Sequence, residues 1–481
     1  MTNLRVYAII GVDLESLYKG GNILGSFRAH NHTNWSNSSL GFADVLCSTE
    51  DLIQKAYDMN LDGIAITDHE SLSGTVNAIN YYKSMDIKHP FSLAIGNEIY
   101  LQTEEEYLDN RDNSAKIPYY HFILIALDTE GFRQLCRLST NAWERGFKRN
   151  IWRRPTTVED LIKYVKPNQG HLVASSACLG SRIDRLLLDE EYEGAKKEAL
   201  LMQSIFGKGN FFLEIQPYNP ESPDQSIVNR RMKELSKETN IPIIPTTDTH
   251  YLLKSQRTAH QAYLNSGDGD RERDSFYATT YLMDDEELKS YLLNDFTEEE
   301  IETMYETSCS ISKRIKDYDI FHNPIIPKIP IEKIPEFKHD PDFFGIDLTD
   351  YPYLKGYSNV TDYHEQYFYY QLKCGFKKHI LDTEKKHQVK QYVQRIETEL
   401  TELKKMSDAL NTSMVCYYST QSVMIDLMWD CNSIVGPGRG SSSAFVITYL
   451  LDITSIDPVP LGDYMPHWRH MSFERGSEIA D

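Results

Sequence analysis

Cysteine is scarce and unpatterned in this sequence: seven in 481 residues, an odd number without framework spacing. That excludes a secreted scaffold stapled by disulfides. No stretch approaches the ~20 apolar residues of a membrane span. The opening Met1-Thr2-Asn3-Leu4-Arg5 lacks the apolar segment and small-residue cleavage site of a signal peptide, so a cytoplasmic protein with no membrane partner is expected. Cationic excess is missing as well, since 50 Lys plus Arg against 71 Asp plus Glu leave a net charge of −21. Proteins that grip phosphate backbones present a basic patch, so the chain alone is expected to bind DNA poorly. Repeats and low-complexity tracts are also absent. What remains is ordinary globular composition, 41% hydrophobic and 25% charged, with length for about three domains.

Within that composition, short apolar runs each carry a metal-binding side chain at one end. Residues 26–29 lead into His30 and His32, 63–67 into Asp68 and His69, and 91–95 reach Glu98. Residues 172–174 precede Cys178, and 241–244 precede Asp248 and His250. The run 122–127 differs in carrying His121 at its front. Continuous apolar runs with helical segments between them read as buried parallel strands of an α/β fold. If the sheet closes into a barrel, its strand ends converge on one face. Imidazoles, carboxylates and a thiolate gathered there coordinate divalent transition metals, a carboxylate bridging two ions. Such ions support phosphoester hydrolysis. Between strands, Ile227, Met232 and Leu235 among charged neighbours predict a covering helix over 224–239.

The strings His30-Asn31-His32-Thr33, Ile66-Thr67-Asp68-His69, Gly96-Asn97-Glu98 and Thr247-Asp248-Thr249-His250-Tyr251-Leu252 resemble the motifs of the PHP (polymerase and histidinol phosphatase) domain. The likeness is to the version that opens the α subunit of bacterial DNA polymerase III, a C-family polymerase. Tyr120-His121-Phe122, Glu130-Gly131-Phe132 and Ser176-Ala177-Cys178-Leu179-Gly180 continue it. The resemblance implies a PHP-type distorted (β/α)7 barrel whose nine ligands hold up to three ions of zinc, manganese or iron. Carried over by motif, the ligands are His30, His32, Asp44, His69, Glu98, His121, Cys178, Asp248 and His250. Asp44 enters through a five-residue insertion, 37–41, because Ser39 stands at the family's usual distance.

A second signal is Ile434-Val435-Gly436-Pro437-Gly438-Arg439-Gly440-Ser441-Ser442-Ser443-Ala444. A Gly-rich loop lets backbone N–H groups approach phosphate oxygens, and a helix over about 442–451 would aim its positive end at the anion. Followed by Asp452-Ile453-Thr454-Ser455-Ile456-Asp457-Pro458, the string resembles the polymerase III α segment that holds the incoming nucleotide's triphosphate. The resemblance implies nucleotide-binding roles for Arg439, Gly440 and Ser441, with Arg469 and Arg475 as further triphosphate contacts. Surface salt bridges are the plainer role for those last two. Glu474-Arg475 leads, in the family, to alternating aspartates that hold magnesium for nucleotidyl transfer, and Asp481 falls where that run begins. With at most one such carboxylate, the chain is expected not to assemble a polymerase site alone.

The expected organisation is a PHP domain over 1–280 with an N-terminal extension, 1–25, as an extra strand and turn. A helical and Pro-rich connector over 281–360 follows, then the first part of an α+β nucleotidyltransferase (polymerase β-like) palm over 361–481. Helices are expected over 362–381 and 390–406. The basic, aromatic stretch 145–154 reads equally as a single-strand contact or an exposed helix end. The leading functional reading is an N-terminal fragment or split chain of a replicative DNA polymerase. Its implied partners are a C-terminal polymerase chain, primer-template DNA and dNTP, and a proofreading subunit or sliding clamp. The PHP site would hydrolyse phosphoesters or proofread as a 3′–5′ exonuclease. A freestanding PHP phosphoesterase and a non-catalytic platform for a proofreading subunit are the alternatives.

Overall fold

The structure, a computed structural model, describes residues 25–40, 43–112, 118–149, 153–266, 275–322 and 325–473. The expected strand and turn of residues 1–20, Arg475 and Asp481 lie outside the described residues. The chain divides into two compact units, Met1–Ile320 and Phe321–Asp481.

Among the described residues the first unit has eight strands: β1 (Phe27–Arg28), β2 (Gly63–Ile66), β3 (Ser92–Gln102), β4 (Tyr120–Ala126), β5 (Pro155–Thr157), β6 (Leu172–Ser175), β7 (Phe211–Ile215) and β8 (Ile243–Pro245). Seven follow one path, β1-β2-β3-β4-β6-β7-β8, while β5 pairs only with β3. The path closes on itself just beyond its ends. His32 N–H donates to Thr249 O at 3.0 Å and Thr249 N–H to His30 O at 3.3 Å. This is the expected (β/α)7 barrel, with one correction to strand direction. β4 is antiparallel to both β3 and β6, so the run 122–127 is not a parallel strand.

Both faces of these strands are buried, which is why they read as unbroken apolar runs. Alternate residues divide between two cores. Ala29, Ala65, Ala94 and Ile123 pack inside the barrel, where small side chains suit a narrow interior. Ile64, Ile66, Leu93 and Ile95 face outward onto helices such as Thr49–Asp58, through Leu52, Ile53 and Ala56. The covering helix Asp224–Thr239 presents Val228, Met232 and Leu235 to that outer core, whereas Ile227 is 36% exposed. The expected apolar stripe is therefore shifted by one residue, because the 228-232-235 spacing keeps to one face.

Residues 281–320 do not behave as a connector. Leu288, Leu292, Ile301 and Met304 join the outer core, and Ile311 packs into the barrel interior. Tyr318 ties the end of this segment to β4 and β3, donating to Ala126 O at 2.7 Å and accepting from Ile95 N–H at 3.0 Å.

In the second unit, helices Pro352–Ser358, Tyr363–Phe376, Val389–Leu410 and Val415–Asp430 surround a core that includes Leu354, Phe368, Leu372, Ile396, Leu400, Val415 and Phe445. Among its described residues there is no strand, so the helical part of an α+β palm is what these residues supply. In the Pro-rich segment, Ile329 and Ile334 are buried against Tyr367. That tract is packed onto the second unit rather than free.

Candidate metal centre

One end of the barrel collects the turns after β1, β2, β6 and β8, the middle of β3 and the front of β4. Because β4 runs backwards, its first residues reach the end where the parallel strands finish. His121 therefore arrives at the same place as the histidines that follow their strands. All nine side chains singled out in the sequence meet there.

Glu98 is the hub. Its Oε2 lies 2.7 Å from His69 Nδ1, 3.1 Å from His32 Nε2 and 3.6 Å from His30 Nε2. Its Oε1 lies 2.7 Å from His121 Nδ1. Asp248 Oδ1 is 3.1 Å from the Nε2 atoms of both His30 and His32, and 3.5 Å from His250 Nδ1. Asp44 Oδ2 sits 3.2 Å from His69 Nε2 and 3.7 Å from His250 Nε2. Cys178 Sγ is 3.4 Å from His121 Nδ1. Three groups have donor atoms all within 4.8 Å of one another: His32–His69–His250, His30–His32–Glu98 and Glu98–His121–Cys178.

The residues fit divalent ions. Both oxygens of Glu98 are buried yet accept no hydrogen bond, despite the imidazole nitrogens beside them. Buried polar atoms left without hydrogen bonds need an explanation, and a coordinated ion supplies one. Charge distribution points the same way. Against the cost of burial, neighbouring imidazoles hold the Asp44, Glu98 and Asp248 carboxyls well below the usual range. Against burial, Glu98 and Asp44 raise His69 to about 10. Burial, with Asp248 and Glu98 adding to it, pushes the Cys178 thiol well above its ordinary value. A thiol so placed becomes a ligand only when a cation compensates its charge.

Asp44 owes its position to Asn37. The Asn37 side-chain oxygen accepts from the N–H groups of Asp44 and Val45 at 2.9 and 2.8 Å, and the Asn37 amide donates to Val45 O at 2.8 Å. Tyr277 then donates to Asp44 Oδ1 at 3.0 Å. Two residues outside the nine support them, and one of these, Glu214, escaped the sequence reading. Glu214, fully buried on β7, approaches His30 Nδ1 at 2.6 Å and accepts from Thr246 and Ser175 hydroxyls. A carboxylate behind an imidazole fixes its tautomer and aims its other nitrogen. The clue was available, because Glu214 is the lone charge in Phe211–Ile215. Asp68 accepts from Thr33 N–H at 2.6 Å and Ser36 Oγ at 2.8 Å, tying the β1 and β2 turns together.

Residues 29–218 match the PHP domain, and residues 366–481 match the bacterial DNA polymerase III alpha NTPase domain. The chain is related to the N-terminal region of DNA polymerase III alpha. Similar proteins include "Probable DNA polymerase YorL" of Bacillus subtilis and the "DNA-directed DNA polymerase" of Bacillus phage SPbeta. Each is 34% identical over 93% of this chain and 35% of its own length. The "DNA polymerase III subunit alpha" of Borreliella burgdorferi is 28% identical over 89% of this chain and 32% of its own. The chain thus spans about a third of the length of these curated relatives.

In the segment matching the polymerase III alpha NTPase domain, Gly440, Ser441 and Arg469 line one groove of about 780 Å³ with Asp463, Tyr464 and Trp468. Arg439 is exposed just before it and does not line it. Ser441 Oγ lies 3.2 Å from His470 Nδ1, and the Arg469 guanidinium donates to Tyr464 O at 2.9 Å. The helix expected over 442–451 is broken. A 3-10 turn, Gly440–Ala444, is followed by extended Phe445 (φ −99°, ψ 133°), and the α-helix is only Val446–Leu450. The cause is Glu399, delivered buried by Val389–Leu410 and paired with Arg395 at 2.7 Å. It accepts the Val446 and Ile447 N–H groups at 2.8 and 2.9 Å. Those amides are consumed inside the protein and are not turned toward an anion.

Proposed function

We propose that the PHP domain is a metal-dependent phosphoesterase centre. We place it in the N-terminal portion of a C-family replicative DNA polymerase. The observation that carries the reading is the meeting of nine chelating side chains, from seven separate segments, around Glu98. His30, His32, Asp44, His69, Glu98, His121, Cys178, Asp248 and His250 would hold up to three divalent ions, zinc, manganese or iron. Such ions, when bound, lower the pKa of water and stabilise charge on a phosphoryl oxygen. Glu214 and Asp68 keep the ligands oriented. The substrate favoured by the family relationship is a DNA 3′ end, which makes the activity a proofreading exonuclease.

Nucleotidyl transfer is proposed for the assembled polymerase, with DNA primer-template and dNTP as substrates. The groove containing Gly440, Ser441 and Arg469 would meet the triphosphate, joined by Arg439 and Arg475. Asp481 would be the first carboxylate of a magnesium site completed by sequence corresponding to the remaining two thirds of the relatives. That sequence is what the polymerase site requires beyond the residues described. A sliding clamp or proofreading subunit would follow from the same assignment.

Replacing His69 or Asp248 with Ala should remove bound metal and hydrolysis together, read by elemental analysis and by release of nucleotides from a labelled 3′ end. Hydrolysis unaltered in those variants would locate the activity outside this cluster.

A further inference from the structure

The metal cluster is open along one edge. The His121 side chain is 26% exposed, against 6% or less for those of His30, His32, Asp44, His69, Glu98, Asp248 and His250. The edge is walled by Tyr100, whose ring stacks on His69 at 6.1 Å and 4° and meets His121 edge-on at 5.2 Å. The guanidinium of Arg153 lies over that ring, 4.4 Å from its centroid, and hydrogen-bonds the Tyr100 hydroxyl. Arg154 stacks likewise on Trp143 at 3.7 Å. Trp143 Nε1 donates to Glu70 O at 2.9 Å, and the Glu70 carboxylate accepts from Tyr100 N–H at 2.7 Å. Cation–π contacts of this kind hold an arginine in place.

The topology accounts for the two arginines being there. β5 lies off the barrel path and pairs only with the end of β3, Tyr100 opposite Pro155. The three residues of β5 add nothing to the closure of the barrel. Their register sets residues 153 and 154 beside the strand that carries Glu98 and Tyr100. A cation is thereby fixed at the mouth of a cluster that contains three carboxylates, in a chain of net charge −21. An anionic substrate approaching that mouth needs a positive group outside the ion-binding set. The planar fork of arginine matches two phosphoryl oxygens at once.

We propose that Arg153 is a substrate-binding residue, gripping the non-bridging oxygens of a phosphate ester as it enters the cluster past His121, while Arg154 on Trp143 anchors the chain just before β5. The inference rests on the hydrolytic reading of the cluster. It is tested on the full chain loaded with manganese, whose paramagnetism broadens the phosphorus resonance of a bound phosphate. Inorganic phosphate and the p-nitrophenyl ester of thymidine 5′-monophosphate are titrated separately. Arg153→Gln should retain its manganese and bind about tenfold more weakly, a loss of about 1.4 kcal/mol, and Arg153→Lys should recover only part. Dependence on Arg153 with either probe supports the inference, and the probe concerned tells a monoester-type dianion from a diester. Unchanged affinity in Arg153→Gln, loss of its manganese, or a wild-type protein that binds neither probe overturns it. Hydrolysis of the same ester is followed in parallel. Arg153-dependent binding without turnover would leave this inference standing and sink the hydrolytic reading.

Discussion

Replacing Glu98 with Gln tests the hub of the cluster, since it keeps the shape and removes one charge. Glu98 belongs to two of the three groups able to hold an ion, His30–His32–Glu98 and Glu98–His121–Cys178, and is absent from His32–His69–His250. Bound metal should therefore fall from as many as three ions per chain to one. The metal-free protein should weaken as well. Glu98 Oε2 stands 2.7 Å from His69 Nδ1, a separation worth about 6 kcal/mol for unit charges at an effective dielectric of ~20, before desolvation is counted. Removing one partner of a buried pair leaves the other uncompensated and costs about 3–5 kcal/mol net. Elemental analysis after dialysis reads the stoichiometry, and urea unfolding in excess chelator reads the stability. A variant that keeps its full metal content, or whose metal-free stability matches wild type, would show that Glu98 is not the bridge.

Two further changes probe neighbouring features. Gly180 packs against His121 so closely that a Cβ there would lie 2.9 Å from the imidazole Cγ. Gly180→Ala should displace His121 and lose the ion shared with Cys178, one equivalent by elemental analysis, with the circular dichroism spectrum unchanged. In the second unit, burial lifts the Glu399 carboxyl to about 7 from an ordinary 4.5, in spite of Arg395. A carboxyl raised on folding costs stability as pH rises from its unfolded to its folded value. The second unit should thus lose on the order of 3 kcal/mol between about pH 4.5 and 7 through this group. Glu399→Gln should abolish that slope in the stability of the second unit, and an identical pH profile for both proteins would refute the assignment.

Much of the site was legible because ligands and strands are local patterns. An imidazole or carboxylate directly after an apolar run is written in adjacent residues, and His30, His32, His69, Glu98, Asp248 and His250 could be named from such runs. Glu214 was harder, since a single acid within a strand looks like an ordinary alternation until the barrel is closed around it. Asp44 depended on recognising an insertion, and its place is set by Asn37, a residue whose side-chain bonds reach across the loop. The helix at 442–451 was misjudged for a related reason. Glu399, more than forty residues earlier in the chain, takes the amides of Val446 and Ile447.

The sequence by itself determined the α/β class and the chelating residue types, because periodicity, composition and motif spacing are properties of neighbouring residues, and resemblance of its motifs added the barrel and the polymerase-like loop. Only the tertiary structure decided which way β4 runs, and so why His121 precedes its strand when the other ligands follow theirs. Strand direction is set by hydrogen bonding to β3 and β6, partners that lie apart in sequence, and no window along the chain contains them. Pairing of β5 with β3 likewise set Arg153 against Tyr100, bringing the end of the basic stretch beside the exposed His121 edge of the cluster.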